Sequence, residues 1–156
     1  MVPSSKLRNP DKSLPIPQDV INWMQHTPYH ELVGSLNYLA VAICPDITFA
    51  IGRLATFLDC YQPEHWKAVI HVLQYVKGTS SLCLTLGGET TFNLQGYADT
   101  NFANCSDTSH SIGGYCYSLG SGVVLWRSKQ QKHTTNSTCY AEYIALHNIG
   151  KELIFL

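Results

Sequence analysis

Apolar residues recur every three to four positions from about residue 28 to residue 78, then every second position to about residue 127, then every three to four again. The longer period marks helices that bury one face, and the shorter one marks strands. Thr27 and Pro28 read as a cap followed by proline at the first helical position, where the missing N–H costs nothing. Behind them Leu32, Leu36, Leu39 and Ala40 share a face, and Pro45 stops the run. Asp46 can cap a second helix, striped by Ile47, Ala50, Ile51, Leu54, Ala55 and Leu58. Gln62-Pro63-Glu64 opens a third, whose stripe is Trp66, Val69, Ile70, Leu73 and Val76. Lys77 and Gly78 supply its favoured closing charge and stop. None of these stripes can stay in water, so the spacing predicts three helices packed together.

After Gly78, Leu82, Leu84 and Leu86 alternate with Cys83 and Thr85, and Gly87-Gly88 reads as a turn. Phe92, Leu94 and Gly96 alternate next and lead into Tyr97-Ala98-Asp99. Residues 113–119 and 123–127 are two further strands, joined by a hairpin at Gly120-Ser121-Gly122. Ser137 caps a last helix with Ala141, Ile144, Ala145, Ile149 and Leu153 on one side. The order is three helices, three or four strands, one helix. Ahead of them Pro3, Pro10, Pro15 and Pro17 make residues 1–18 extended or irregular. The expected organisation is an extended arm over residues 1–26, a three-helix segment over 27–79 and a sheet-bearing domain over 80–156.

Composition narrows the function classes. The 156 residues are 45% hydrophobic and 13% charged, enough for a buried core and too apolar for disorder throughout. Lys+Arg is 10 against Asp+Glu 11, which excludes a strongly basic nucleic-acid arm or an acidic tail as the main device. No apolar run reaches the roughly 18 residues of a membrane span, and the start has no apolar leader. An intracellular chain, cytoplasmic or nuclear and with no membrane partner, is the expectation. Six cysteines without a CxxC pair suit free thiols. His26 and His30 lie four apart, but no Cys or acidic residue completes a zinc set at ligand spacing.

Two carboxylates invite chemistry. Asp99 ends an otherwise apolar or small strand, where it could hold a metal ion; read alone, it more readily caps the following loop. Glu142 stands at the edge of the last helix's apolar side, a place where glutamate is usually solvated. Arg127, Lys129, Lys132 and His133 form a basic run after Trp126, either a nucleic-acid contact or a solvated loop.

The words of the sequence add to this. GYADTNFANCSDTSHSIGGYCYSLGSGVVLWRSKQQ followed by STCYAEYIAL resembles the ribonuclease H segment of copia-type LTR-retrotransposon Pol polyproteins. That family writes Y-(S/A)-D-A-D-W-A-G, D-T-R-x-S-x-x-G-Y, W-x-S-K-x-Q and S-x-A-E-x-E-Y-x-A-L. Upstream, PYHELVGSLNYLAVAICPDITFAIGRLATF and EHWKAVIHVLQYVKGT resemble the connection region that follows the polymerase palm in the same polyproteins. The resemblance runs from about Tyr29 to the C-terminus.

The resemblance implies an α+β or α/β chain: a helical reverse-transcriptase connection segment, then a partial ribonuclease H-like mixed sheet of three strands and its first helix. It makes Asp99 and Glu142 two of the catalytic, Mg²⁺-binding carboxylates, and RNA/DNA hybrid and the rest of the Pol polyprotein the partners. Hybrid hydrolysis uses two hard cations about 4 Å apart, held by several oxygen ligands. Here no Asp follows Glu142, Asn101 replaces the family's second Asp, Tyr140 replaces its other Glu, and His110 follows Ser109 where basic residues are usual. The expectation is therefore a fragment truncated at both ends, with an incomplete Mg²⁺ site and no activity alone. The alternatives are a non-catalytic module binding nucleic acid through Arg127, Lys129 and Lys132, or a functionless remnant of a transposon insertion. The strand of Asp99 should present an open edge, inviting marginal stability and self-association.

Overall fold

The computed structural model describes residue 7 and residues 17–87, 93–102, 110–131, 134 and 137–154. It divides into two compact units, Met1–Leu82 and Cys83–Leu156. Most of the proline-rich arm, Gly88, Phe92, Cys105, Lys132 and His133 lie outside the described residues. Five cysteines lie within them, Cys44, Cys60, Cys83, Cys116 and Cys139, and none of these is in a disulfide.

Unit 1 is helical: α1 (Gln18–His26), α2 (Tyr29–Ala42), a 3-10 turn (Pro45–Ile47), α3 (Thr48–Ala55) and α4 (Pro63–Gly78). The helix α1 corrects the expected arm over residues 1–26. Pro17 ends the proline spacing, and its carbonyl accepts the first helical bonds from Val20 N (3.0 Å) and Ile21 N (3.1 Å). No proline follows until Pro28, so the chain is free to wind, and Trp23 and Met24 pack onto the core. Thr27 does not cap α2 with its side chain; its hydroxyl donates back to Trp23 O at 2.8 Å and closes α1.

The core gathers Tyr29, Val33, Leu36 and Ala40 of α2 with Ile51 and Leu54 of α3 and Val69 and Val72 of α4. Leu36, Ala40, Ile51, Leu54 and Val69 are members of the expected stripes. Leu32 and Leu39 are only partly buried, because Tyr29 and Val33 turn the inward face of α2. Asp46 does not cap α3; its carboxylate accepts the Tyr75 hydroxyl at 2.6 Å. The second helix was expected to reach Leu58, yet α3 ends at Ala55. Tight turns then carry Phe57 inward, with Phe57 N bonded to Leu54 O at 3.1 Å.

Aromatic contacts complete this core. The Tyr29 and Tyr61 rings stack at 4.3 Å, and Tyr29 donates its hydroxyl to Leu54 O at 2.9 Å. Burial, with smaller repulsions from Cys60 and Tyr61, holds that hydroxyl protonated well above the ordinary phenol range. Phe57 packs at 4.2 Å against His65, which is fully buried and serves as the third residue of a capping box. Gln62 N donates to His65 Nδ1 at 3.0 Å, the part a glutamate plays in the usual box.

Unit 2 holds β1 (Leu94–Asn101), β2 (Ile112–Leu119), β3 (Gly122–Gln130) and α5 (Thr138–Leu153). The sheet order is β1-β2-β3 with both pairings antiparallel. Among the described residues the expected mixed sheet is therefore antiparallel throughout, and the class is α+β rather than α/β. A two-residue loop between β2 and β3 permits only that direction. Gly120 takes a left-handed φ of 61° in this loop, a conformation that costs glycine nothing. Leu82, Leu84 and Leu86 join no strand and remain exposed, which corrects the expected first strand. Their segment instead runs against Gly122, where a Cβ would strike the Thr85 carbonyl.

Candidate functional site

Helix α5 covers one face of the sheet, and three side chains fix it there. Thr100 Oγ1 donates to Ala141 O at 3.3 Å, Gln131 Nε2 donates to the same carbonyl at 3.0 Å, and Tyr117 donates its hydroxyl to Ile149 O at 2.7 Å. Close approach is possible because β1 offers glycine beneath the helix. A Cβ on Gly96 would lie 2.6 Å from the Tyr117 ring and 3.1 Å from Ile149 Cδ1. Ala141 and Ala145 are the buried residues of α5, small enough to keep the helix near the strands. Ser137 caps it, its hydroxyl oxygen accepting Tyr140 N at 3.2 Å.

These contacts place the candidate carboxylates. Side chains alternate along a strand, and Gly96 and Thr100 face α5. Tyr97, Asp99 and Asn101 therefore face the other way, and the Tyr97–Gln95 side-chain bond at 2.9 Å lies on that second face. Asp99 is exposed there. Glu142 follows the buried Ala141 on α5 and is half-buried. The two carboxylates thus flank one strand–helix contact from different sides. Among the described residues no three His, Cys, Asp or Glu side chains converge on a common point. That donor set does not fit Mg²⁺, which requires several oxygen ligands in octahedral array.

The basic residues fare differently. Arg127 is the partner of Tyr115 across the ladder and Lys129 of Gly113, so both stand on the α5 face of the sheet. Together with Lys151 of α5 they line a cleft of about 580 Å³ between β2, β3 and the helix. Arg127 reaches Glu152 at 3.5 Å across it. Tyr115 also lines the cleft. Burial raises its hydroxyl's pKa; beyond that, Arg127 pulls it down and Glu152 pushes it up. Lys132 lies outside the described residues. Sequence reasoning did not single out Tyr115, Gln131 or Lys151. A signal for Gln131 was available: Arg127, Lys129 and Gln131 fall at i, i+2 and i+4, one face of a strand.

Among the described residues, no helix is long and apolar enough to cross a membrane.

Comparison with known proteins bears on most of the chain. It is 42% identical over 133 residues to the retrovirus-related Pol polyprotein from transposon TNT 1-94 of Nicotiana tabacum, covering 85% of this chain and 10% of that protein. It is 36% identical over 127 residues to the Pol polyprotein from transposon RE2 of Arabidopsis thaliana, covering 81% of this chain and 9% of that one. The secreted RxLR effector protein 161 of Plasmopara viticola is 35% identical over 133 residues, which are 85% of this chain and 94% of that protein. The chain thus spans about a tenth of the length of these Pol polyproteins and nearly all of the third relative. No protein-family model and no solved structure matches it.

Proposed function

We propose that the chain, which is similar over 81–85% of its length to retrovirus-related Pol polyproteins from plant transposons, is a copia-type Pol segment, with a reverse-transcriptase connection region in unit 1 and the opening of a ribonuclease H-like domain in unit 2. The observation that supports this reading is the order of unit 2: an antiparallel meander β1-β2-β3, then α5 laid on one face, with Asp99 on the first strand and Glu142 on the helix. Its partners are an RNA/DNA hybrid and the remainder of the polyprotein. Strand β1 is an edge of the described sheet, and a strand added there, from more of the polyprotein or from a second copy, would shield it.

Mg²⁺ is the metal of this chemistry, but the described residues hold too few converging carboxylates for it, so no metal-dependent step is assigned to the chain. It is inactive alone. The test is cleavage of an RNA/DNA hybrid by the full chain in Mg²⁺ or Mn²⁺, beside Asp99→Asn. The expected result is no cleavage above that of the variant, from protein shown to be folded. Cleavage by the wild type that Asp99→Asn abolishes would overturn the inactivity and mean that a complete site forms, within one chain or between copies.

A further inference from the structure

Three of the chain's 10 Lys and Arg residues, Arg127, Lys129 and Lys151, converge on the cleft between β2, β3 and α5. Among the described residues its lining holds one acid, Glu152, so its Lys, Arg and acidic side chains sum to about +2 in a protein of net charge −1. Ionic strength and water weaken such a cluster at a convex surface; in a cleft the field is focused and phosphate oxygens meet several donors at once. At about 580 Å³ the space is in the range of small-ligand sites rather than of a single ion.

Gln131 is only 8% exposed and lines the same cleft. Its Nε2 is committed to Ala141 O, which fixes the orientation of the amide. Its Oε1 is buried and has no hydrogen-bond partner among the described residues. A buried acceptor left unmatched costs free energy until a donor reaches it. The Tyr115 ring, half-buried beside Arg127, adds an aromatic wall.

We propose that this cleft binds a nucleotide, its phosphate held by Arg127, Lys129 and Lys151 and an amino group of its base donating to Gln131 Oε1. The shared chemistry is that of a free nucleotide or of one nucleotide in a single strand. The site uses neither Asp99 nor a metal, and so goes beyond the hybrid-cleaving ancestry.

The test is titration of the full chain in EDTA with AMP, adenosine, inorganic phosphate, purine riboside 5′-monophosphate and a short single-stranded oligonucleotide, read by calorimetry. EDTA keeps the outcome separate from any metal-dependent cleavage. Saturable AMP binding is expected, with adenosine at least about tenfold weaker for want of the phosphate. Purine riboside monophosphate, which lacks the amine, should bind several-fold more weakly than AMP. The Lys129→Ala/Lys151→Ala double variant changes two exposed side chains and should fold, yet weaken AMP at least about tenfold. AMP tighter than the oligonucleotide per site points to a free nucleotide, and the reverse to a strand; either supports the cleft. No saturable AMP or oligonucleotide binding, equal affinity for AMP and adenosine, or unchanged binding by the folded double variant would each overturn it.

Discussion

The two units solve the burial problem in different ways. Unit 1 gathers a core of large side chains, with Tyr29, Phe57, Leu36, Ile51 and Val69 essentially inaccessible to water, while Tyr38, Val41 and Ile43 stay exposed outside it. Unit 2 buries few apolar side chains among its described residues, namely Tyr117, Ala141 and Ala145, and beside them the polar Thr100, Ser111 and Gln131. Among its described residues one helix, α5, covers one face of a three-stranded sheet, while Tyr97 on the other face is 58% exposed. A layered domain is stable when both faces of its sheet are either covered or polar, and this one leaves aromatic surface uncovered. Unit 1 therefore depends on packing volume. Unit 2 depends on a few close contacts and hydrogen bonds under α5.

The largest test of that difference is Phe57→Ala in unit 1. Removing a fully buried ring that packs at 4.2 Å on His65 should cost about 3–5 kcal/mol. Amide hydrogen exchange should show protection lost across α2, α3 and α4 and kept in β1-β2-β3. Equal loss in both units would break the comparison, because it would mean that the two fold as one cooperative body.

Gly96→Ala tests unit 2 with a smaller change. The added methyl would lie 2.6 Å from the Tyr117 ring, so either that ring or α5 must move. Overpacking of this kind costs about 1–3 kcal/mol, here at the contact that holds Tyr117 to Ile149. The expected signature is faster exchange in α5 and β2 with unit 1 unchanged. If α5 keeps its protection, the helix is held by something other than the glycine contact.

Sequence patterning reached these two units unevenly. A 3.6-residue period finds helices whose neighbours are other helices, so α2, α3 and α4 were legible, as was α5. The period is blind to which polar residues join a core, and His65 entered through its capping bond and its contact with Phe57. α1 is not legible because Pro17 and Pro28 bound only ten residues, too few for an apolar period to stand out beside the prolines. Leu82, Leu84 and Leu86 show the reverse error: alternation marks a chain able to pair, but pairing also requires a free neighbour in register. For the candidate site, Asp99 and Glu142 were readable as residues, whereas the face each occupies depends on the register of β1 beneath α5. Gln131 looked like one more polar residue in a basic run. Only the packing of α5 makes it a buried acceptor.

The smallest effect should come from Glu152→Gln, and it separates a cleft built for charge from a wall built for stability. Arg127 and Glu152 are 3.5 Å apart with side chains 50% and 31% exposed, so solvent screens the pair. Ion pairs this open contribute about 0–1 kcal/mol, less as salt is added. The urea midpoint should move little, and the difference from wild type should vanish in high salt. The same substitution removes the acid described in the cleft lining and frees Arg127, so AMP affinity should rise while stability stays nearly constant. A loss above about 2 kcal/mol that persists in high salt would instead make Glu152 a structural tie between α5 and β3. Arg127 would then be spoken for, and the cleft would have only its two lysines to offer a phosphate.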